Sequence, residues 1–264
     1  MKLKLNFEIM ININLFFKIL LAFIPFFLTG TLEASIDNWK KNKIKYRTFF
    51  GKCPSRVAGS LTLGLVKEFE RRGLLSDVKK KIIDEKLVSK HFISSYEIKF
   101  NPVKKFLDIK LDCPIPLMRV QIYKRNGQES YEALLVDNGK LFDPTYEEIL
   151  ENDKKLQYDL PSLAIPVEKA NEKTQNQLVN IIKAMEIKFR KKLSEVILSN
   201  HGNLTIILSL DGSPSSAFLG DDEWTVKALK LQKILKFLRT KQKTPSVINL
   251  TNSKKVVVKF NDRF

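Results

Sequence analysis

Hydrophobic and polar positions follow two different rhythms along this chain, and each change of rhythm marks an element. Ile9–Leu28 shows neither rhythm: it is apolar, interrupted by Asn12, Asn14, Lys18 and Pro25. Ile44–Phe50 reads as a strand that ends near Gly51-Lys52-Cys53-Pro54. Val57–Arg72 puts Leu61, Leu65, Val66 and Phe69 on one helical face, and Gly73 is a natural stop. Ser76 fits the N-cap of a second helix with the stripe Val78, Ile82, Ile83 and Leu87. Ser95–Asn101 then alternates, with Tyr96, Ile98 and Phe100 on one face, and Phe106–Cys113 returns after a turn at Pro102. The predicted order is strand, helix, helix, strand, strand.

Past Pro114 and Pro116 the strands shorten and multiply. Met118–Lys124 and Tyr131–Val136 flank Asn126-Gly127, a strong hairpin signal. Asp137-Asn138-Gly139 turns the chain into Lys140–Phe142. Glu151–Lys173 is charged and irregular. Thr174–Leu193 predicts a helix buried through Leu178, Ile181, Ile182, Met185 and Phe189. Val196–Ser199 and Leu204–Leu210 form a hairpin around His201-Gly202-Asn203, and Ala217–Leu219 is a short strand. Asp221 or Asp222 caps a helix running to Leu238, buried through Val226, Leu229, Leu231, Ile234 and Leu238. Val247–Leu250 and Lys254–Phe260 close the chain. The fold class is α+β, with a mainly antiparallel sheet in its second part.

The apolar N-terminus is a membrane-targeting segment. Lys2 and Lys4 precede it, which keeps the short N-terminal end cytoplasmic. As a retained anchor it spans residues 15–32 behind a tail of 1–14, with Lys18 snorkelling to the headgroups. As a signal peptide, Ile19–Leu28 is the apolar region and the cut follows Leu32-Glu33-Ala34. Either reading exports the rest of the chain past a linker at 33–43. Cys53 and Cys113 then lie where a disulfide is permitted. The alternative is two buried free thiols acting as small hydrophobes.

Composition narrows the function classes. The chain has 264 residues, 44% hydrophobic and 28% charged, a globular composition large enough to bury a core. Net charge is +17, but 37 of the 46 basic residues are Lys, spread along the whole chain, and no nucleic-acid-binding motif occurs. A solvated Lys-rich surface is the expectation, without nucleic acid as partner. Two Cys and two His exclude a four-cysteine zinc site and argue against a dedicated metal centre. No G-x-S-x-G elbow, Walker A run or G-x-G-x-x-G run is present. His91 and His201 read as surface or capping residues, and Asp221-Asp222-Glu223 as the acidic start of a helix. No enzyme activity, cofactor or small-molecule substrate is expected.

The ordered set of pieces resembles the FtsQ/DivIB family of bacterial cell-division proteins. Arg119–Pro144 resembles the family's strand, hairpin and "lvD-x-x-G-x-v-f" segment, with Asp137, Gly139 and Phe142 in register. Leu160-Pro161 sits where the family has Leu-Pro. Leu208–Gly220 matches through Gly212, Leu219 and Gly220, Lys227–Leu238 fits the helix that follows, and Val247–Phe260 is similar to the family's ending. Asn249-Leu250-Thr251 departs from the family's Asp-Leu-Arg, and the stretch Cys53–Ser60 matches poorly. The resemblance implies a single-pass inner-membrane protein of the division septum, anchored in the bilayer by its N-terminal helix. It implies a POTRA-like domain at 44–114, an FtsQ-type β domain at 115–260 and a tail at 261–264. It implies a non-enzymatic scaffold that binds small bitopic FtsB/FtsL-like partners by strand addition at its last strands. Ile248, Leu250, Lys254, Val256, Val257, Val258 and Phe260 are the residues implied for that contact, with the alternative that this strand simply completes the sheet. In such a POTRA domain the first and third strands are neighbours, which brings Cys53 and Cys113 to one end of the sheet if the strands are parallel. The runner-up function is a POTRA-containing envelope assembly or secretion factor.

Overall fold

The computed structural model describes residues 44–260, except 125–129, 157 and 253. The tail, anchor and linker expected within 1–43, the Asn126-Gly127 turn and the tail at 261–264 lie outside the described residues. No helix among the described residues is long and apolar enough to cross a membrane.

Strand β1 (Lys45–Phe49) leads into α1 (Ser55–Arg72), α2 (Leu75–Asp84) and the short α3 (Leu87–Lys90), followed by β2 (Ser95–Asn101) and β3 (Phe106–Asp112). The three strands form a sheet of order β1-β3-β2. Helix α1 buries Leu65, Val66 and Phe69, as its stripe requires, and the Phe69 ring lies 4.8 Å from that of Phe100. Glu68 binds α1 to α2: it accepts from Arg71 at 2.6 Å and Arg72 at 2.9 Å, with Lys81 at 3.6 Å. The hydrogen bond from Arg71 holds its carboxyl below the usual range, assisted by Lys81 and Arg72. Helix α2 starts one residue before Ser76. Leu74 takes the N-cap position in extended backbone with no side-chain cap, so Ser76 caps nothing. Ile83 is 68% exposed, because it stands about 100° around the helix from buried Ile82.

Beyond Cys113 the chain builds one nine-stranded sheet. Its strands are β4 (Pro116–Tyr123), β5 (Ser130–Val136), β6 (Leu141–Phe142), β7 (Ser162–Pro166), β8 (Leu193–Leu198), β9 (Leu204–Leu210), β10 (Ser213–Gly220), β11 (Pro245–Asn249) and β12 (Val257–Phe260). Their spatial order is β12-β11-β10-β9-β8-β7-β4-β5-β6. The pairs β4–β7, β7–β8 and β10–β11 are parallel, and the remaining neighbours are antiparallel. The helices are α4 (Thr145–Asn152), α5 (Glu172–Ala184), α6 (Ile187–Arg190) and α7 (Trp224–Thr240). Leu178, Ile181 and Ile182 of α5 and Ala228 and Leu231 of α7 share one core with Val120, Leu163, Ile206, Leu219 and Ile248 of the strands. The architecture is α+β around a large mixed sheet.

Several expectations change here. The charged stretch Glu151–Lys173 contains the end of α4 and the whole of β7, an interior strand of the sheet. The helix expected over Thr174–Leu193 stops at Ala184, where Met185 turns extended and caps it, and α6 follows as a separate turn. Asn171 caps α5 by accepting from the Thr174 N–H at 3.0 Å. Helix α7 is preceded by Glu223 at φ 46 with no side-chain cap. Asp222 is engaged elsewhere: it pairs with Lys227, whose Nζ also donates to the Leu219 carbonyl at 2.8 Å. Lys227 is therefore buried, while Val226 and Leu229, expected inside, are 62% and 41% exposed.

The chain divides into two compact units. Among the described residues one comprises 44–48, Ser60–Glu85 and Glu97–Ile109, and the other Phe49–Gly59, Lys86–Tyr96 and everything from Lys110 onward.

Candidate partner-binding edge

β11 is the last strand held on both sides. It runs parallel to β10 (Ala217 opposite Ile248) and antiparallel to β12, with Ile248 opposite Val258 and Asn249 opposite Val257. A bulge between Pro245 and Val247 loosens the far end of the pair. β12 has β11 on one side and no strand on the other among the described residues. The backbone N–H and C=O groups on that outer side are the raw material of strand addition.

The connection into β12 is built from side-chain turns. Asn249 Oδ1 accepts from the Thr251 N–H at 2.9 Å and the Thr251 hydroxyl at 2.7 Å. Asn252 Oδ1 accepts from the N–H groups of Lys254 at 2.9 Å and Lys255 at 3.2 Å. These are Asx-type turns, in which a short amide side chain replaces a backbone acceptor. Asn249 and Thr251 thus secure this corner with neutral hydrogen bonds where Asp and Arg would pair. Gly220 takes φ +78, a backbone conformation that L side chains rarely adopt, and an added Cβ would sit in ordinary contact with Thr251, 3.5 Å from its Cα. The Leu250 N–H donates to the Phe218 carbonyl at 2.8 Å.

The residues implied for partner contact divide into two groups. Ile248 and Leu250 are 0% and 1% exposed and belong to the core, so their side chains cannot touch a partner. They hold β11, on which β12 rests. Val256 and Val258 pack partly against the same core. Val257 and Phe260 are 42% and 40% exposed, and Lys254, Lys255 and Lys259 are exposed. The ammonium of Lys243 sits 5.5 Å from the Phe260 ring centroid, a cation–π contact.

Cys53 and Cys113 form a disulfide, with Cα atoms 4.9 Å apart and 60 residues between them in sequence. β1 and β3 are sheet neighbours. Their contacts climb in step: Lys45 N to Lys105 O at 3.1 Å, Arg47 to Asp108 at 2.8 Å, then the disulfide. Around the bridge, Lys155 donates to the Cys53 carbonyl and, at 3.0 Å, to the Ser55 hydroxyl. Asp153 accepts from the Ser55 N–H at 2.7 Å, and this bond holds its carboxyl below the usual range. Phe92, fully buried, stacks on Tyr146 at 4.8 Å and meets Phe142 edge-on at 5.0 Å. Phe92 carried no signal in the sequence: it follows a four-residue helix and belongs to no periodic stripe.

Neither cysteine is a free thiol. His91 ends α3 in extended backbone, and His201 is exposed in the β8–β9 turn. Among the described residues no group of three or more His, Cys, Asp or Glu side chains is placed to hold a metal ion. Glu147 is the one buried carboxylate of the second unit with a perturbed titration among the described residues. Burial pushes its carboxyl above the usual range, and Arg119, 3.3 Å from Oε1 at an angle that makes no hydrogen bond, offsets only part of this. No family model matches the chain, and no curated protein matches it.

Proposed function

We propose that this chain is a bitopic scaffold of the bacterial division machinery, of the FtsQ/DivIB type. In this reading it recruits small FtsB/FtsL-like partners to the septum by strand addition at β12 and catalyses no reaction. The observation that carries the proposal is the position of β12 at the rim of the nine-stranded sheet. Its exposed side chains suit the role: Val257 supplies an apolar contact, and Lys259 in the strand with Lys254 and Lys255 just ahead of it repel indiscriminate pairing. The order strand, helix, helix, strand, strand over 45–112, with β1 beside β3, supports a POTRA-like first module. The membrane anchor at 15–32, the cytoplasmic N-terminus and the septal location are part of the same proposal.

The test is capture of FtsB- and FtsL-like partners from the native cell by the full chain. Val257→Asp is suitable because the side chain is 42% exposed and the substitution leaves the core intact. Capture falls by about tenfold or more, the effect of placing an unpaired charge at a strand-addition contact. Truncation after Leu250 abolishes it, with circular dichroism confirming the fold. Undiminished capture by a folded Val257→Asp chain refutes the edge. A fluorescent protein fused ahead of Met1 tests the cellular half: a ring at the division site with a full-length band is expected. A uniform envelope signal refutes the divisome role, and a released tag refutes the retained anchor.

A further inference from the structure

Below the C-terminal half of α7 lies a half-open cleft of about 460 Å³, closed on its other sides by α6 and by the strand ends at Leu210 and Pro245. That volume is in the range of a single small-molecule ligand. Its floor is apolar, formed by Phe189, Leu210, Leu235 and Pro245. Its lining is rich in cations, among them half-buried Lys192 and exposed Arg239 and Lys243, the last with its ammonium over the Phe260 ring. The two acids at the cleft are engaged: Glu186 pairs with Lys236, and Asp211 accepts from the Thr244 hydroxyl at 3.2 Å. Lys192 and Arg239 have no carboxylate partner among the described residues.

Gln232 gives the cleft its directionality. It lines the cavity at 5% exposure, buried although the apolar stripe read from the sequence does not include it. Its Oε1 accepts from the Glu186 N–H at 3.1 Å, which fixes the orientation of the amide. Its Nε2 has no acceptor among the described residues. A buried N–H donor without a partner is costly, and an incoming oxygen would relieve it.

We propose that this cleft binds a small amphiphilic anion. The oxyanion head, a carboxylate or a phosphate monoester, is held by Arg239 and Lys192 with Gln232 Nε2 as the buried donor. The apolar body lies on Phe189, Leu210 and Leu235. A guanidinium and an ammonium grip an oxyanion through charge-assisted hydrogen bonds, which are stronger than those of a neutral alcohol. The floor excludes a merely polar ion such as free phosphate from the tightest mode. This site is independent of strand addition at β12.

The experiment is calorimetric titration of octanoate, octyl phosphate and octanol into the full chain in phosphatidylcholine nanodiscs, with protein-free discs as blank. Hydrogen–deuterium exchange locates the site. At least one octyl anion binds about tenfold or more tighter than octanol, the factor expected for charge-assisted over neutral hydrogen bonding. Protection falls on residues 186–192 and 232–245. The pair Lys192→Glu with Arg239→Glu weakens binding by a similar factor. Gln232→Glu does so too, because it keeps the acceptor for the Glu186 N–H and removes the donor; circular dichroism confirms that each variant folds. A preference for octanoate assigns free carboxylates as the source, and a preference for octyl phosphate assigns a phosphate-headed lipid. Octanol binding as tightly as the anions overturns the proposal, as does indifference to charge reversal. So does binding of a hexaglutamate peptide when neither octyl anion binds, which would make the rim a surface for acidic polypeptides.

Discussion

Removing the Cys53–Cys113 bridge tests how much of this fold depends on a covalent link. The bridge closes a loop of about 60 residues that contains α1, α2, α3, β2 and β3. Closing such a loop takes about 14 cal/mol/K from the unfolded chain, or about 4 kcal/mol at room temperature. For a protein of this size that corresponds to a fall of roughly 8–16 °C in Tm. The perturbation is the double variant Cys53→Ser, Cys113→Ser, compared with the wild-type chain under reducing and non-reducing conditions. Serine is tolerable at 53 because the Leu111 carbonyl lies 3.6 Å from the sulfur and can accept from a hydroxyl. The assay is thermal and urea unfolding followed by circular dichroism, with thiol titration of the unfolded, unreduced chain. The variant and the reduced wild type fall together, and no free thiol is found before reduction. A loss below about 1 kcal/mol in both, the level of an ordinary substitution, refutes the reasoning.

Three further outcomes follow from the described side chains. Burial raises the folded carboxyl of Glu147 above its unfolded value, so wild-type stability declines as pH rises from the unfolded value through the folded one. Glu147→Gln removes this decline and melts higher at neutral pH, while the two chains converge in acid; equal slopes would refute the assignment. Glu68 shifts the other way, so its contribution is present above the unfolded carboxyl range and is lost as pH falls through the folded value. Glu68→Gln flattens the acid limb of a Tm-against-pH curve, and an unchanged limb would count against the Arg71–Glu68–Lys81 cluster. Gly139 adopts φ +81, and an added Cβ would meet the Asn176 amide oxygen. Gly139→Ala therefore costs about 1–2 kcal/mol from backbone alone, plus a smaller clash with the Asn176 side chain that Asn176→Ala relieves without placing a glycine in α5. A double variant no more stable than the single one, measured by urea unfolding, would refute the clash.

The sequence shows its elements best where one face is uniformly apolar. Helix α1, strands β2 and β3, and the β4–β5 pair all stand where their periods put them. Strand β7 stayed hidden because five residues bounded by Pro161 and Pro166 inside a charged stretch carry no usable period. Helix α7 was misread on its buried face for a different reason. Lys227 lies inside because the Leu219 carbonyl and Asp222 satisfy its ammonium, and Gln232 because its amide oxygen accepts from the Glu186 N–H; those partners come from outside the helix. The terminal strand shows both limits. The resemblance implied an open last strand, and among the described residues β12 has no strand beyond it. Which of Ile248, Leu250 and Val257 points outward depended on the register against β10, set far away in the chain. Phe92 and the cleft under α7 are tertiary products with no local signature.

Among the described residues the two rims of the large sheet differ, and under the proposed function the difference decides where a guest strand docks. At one rim β6 has only Leu141 and Phe142, too short a template for a guest, and at the other β12 offers four residues. Under the proposed function a guest strand docks at the β12 margin, and the outer side of the guest becomes the new rim of the sheet. Two copies meeting at this margin would pair β12 with β12 about a two-fold axis, an isologous contact that closes as a dimer. Under the proposed function a guest and a second copy compete for the same margin, so guest binding and self-pairing there exclude each other.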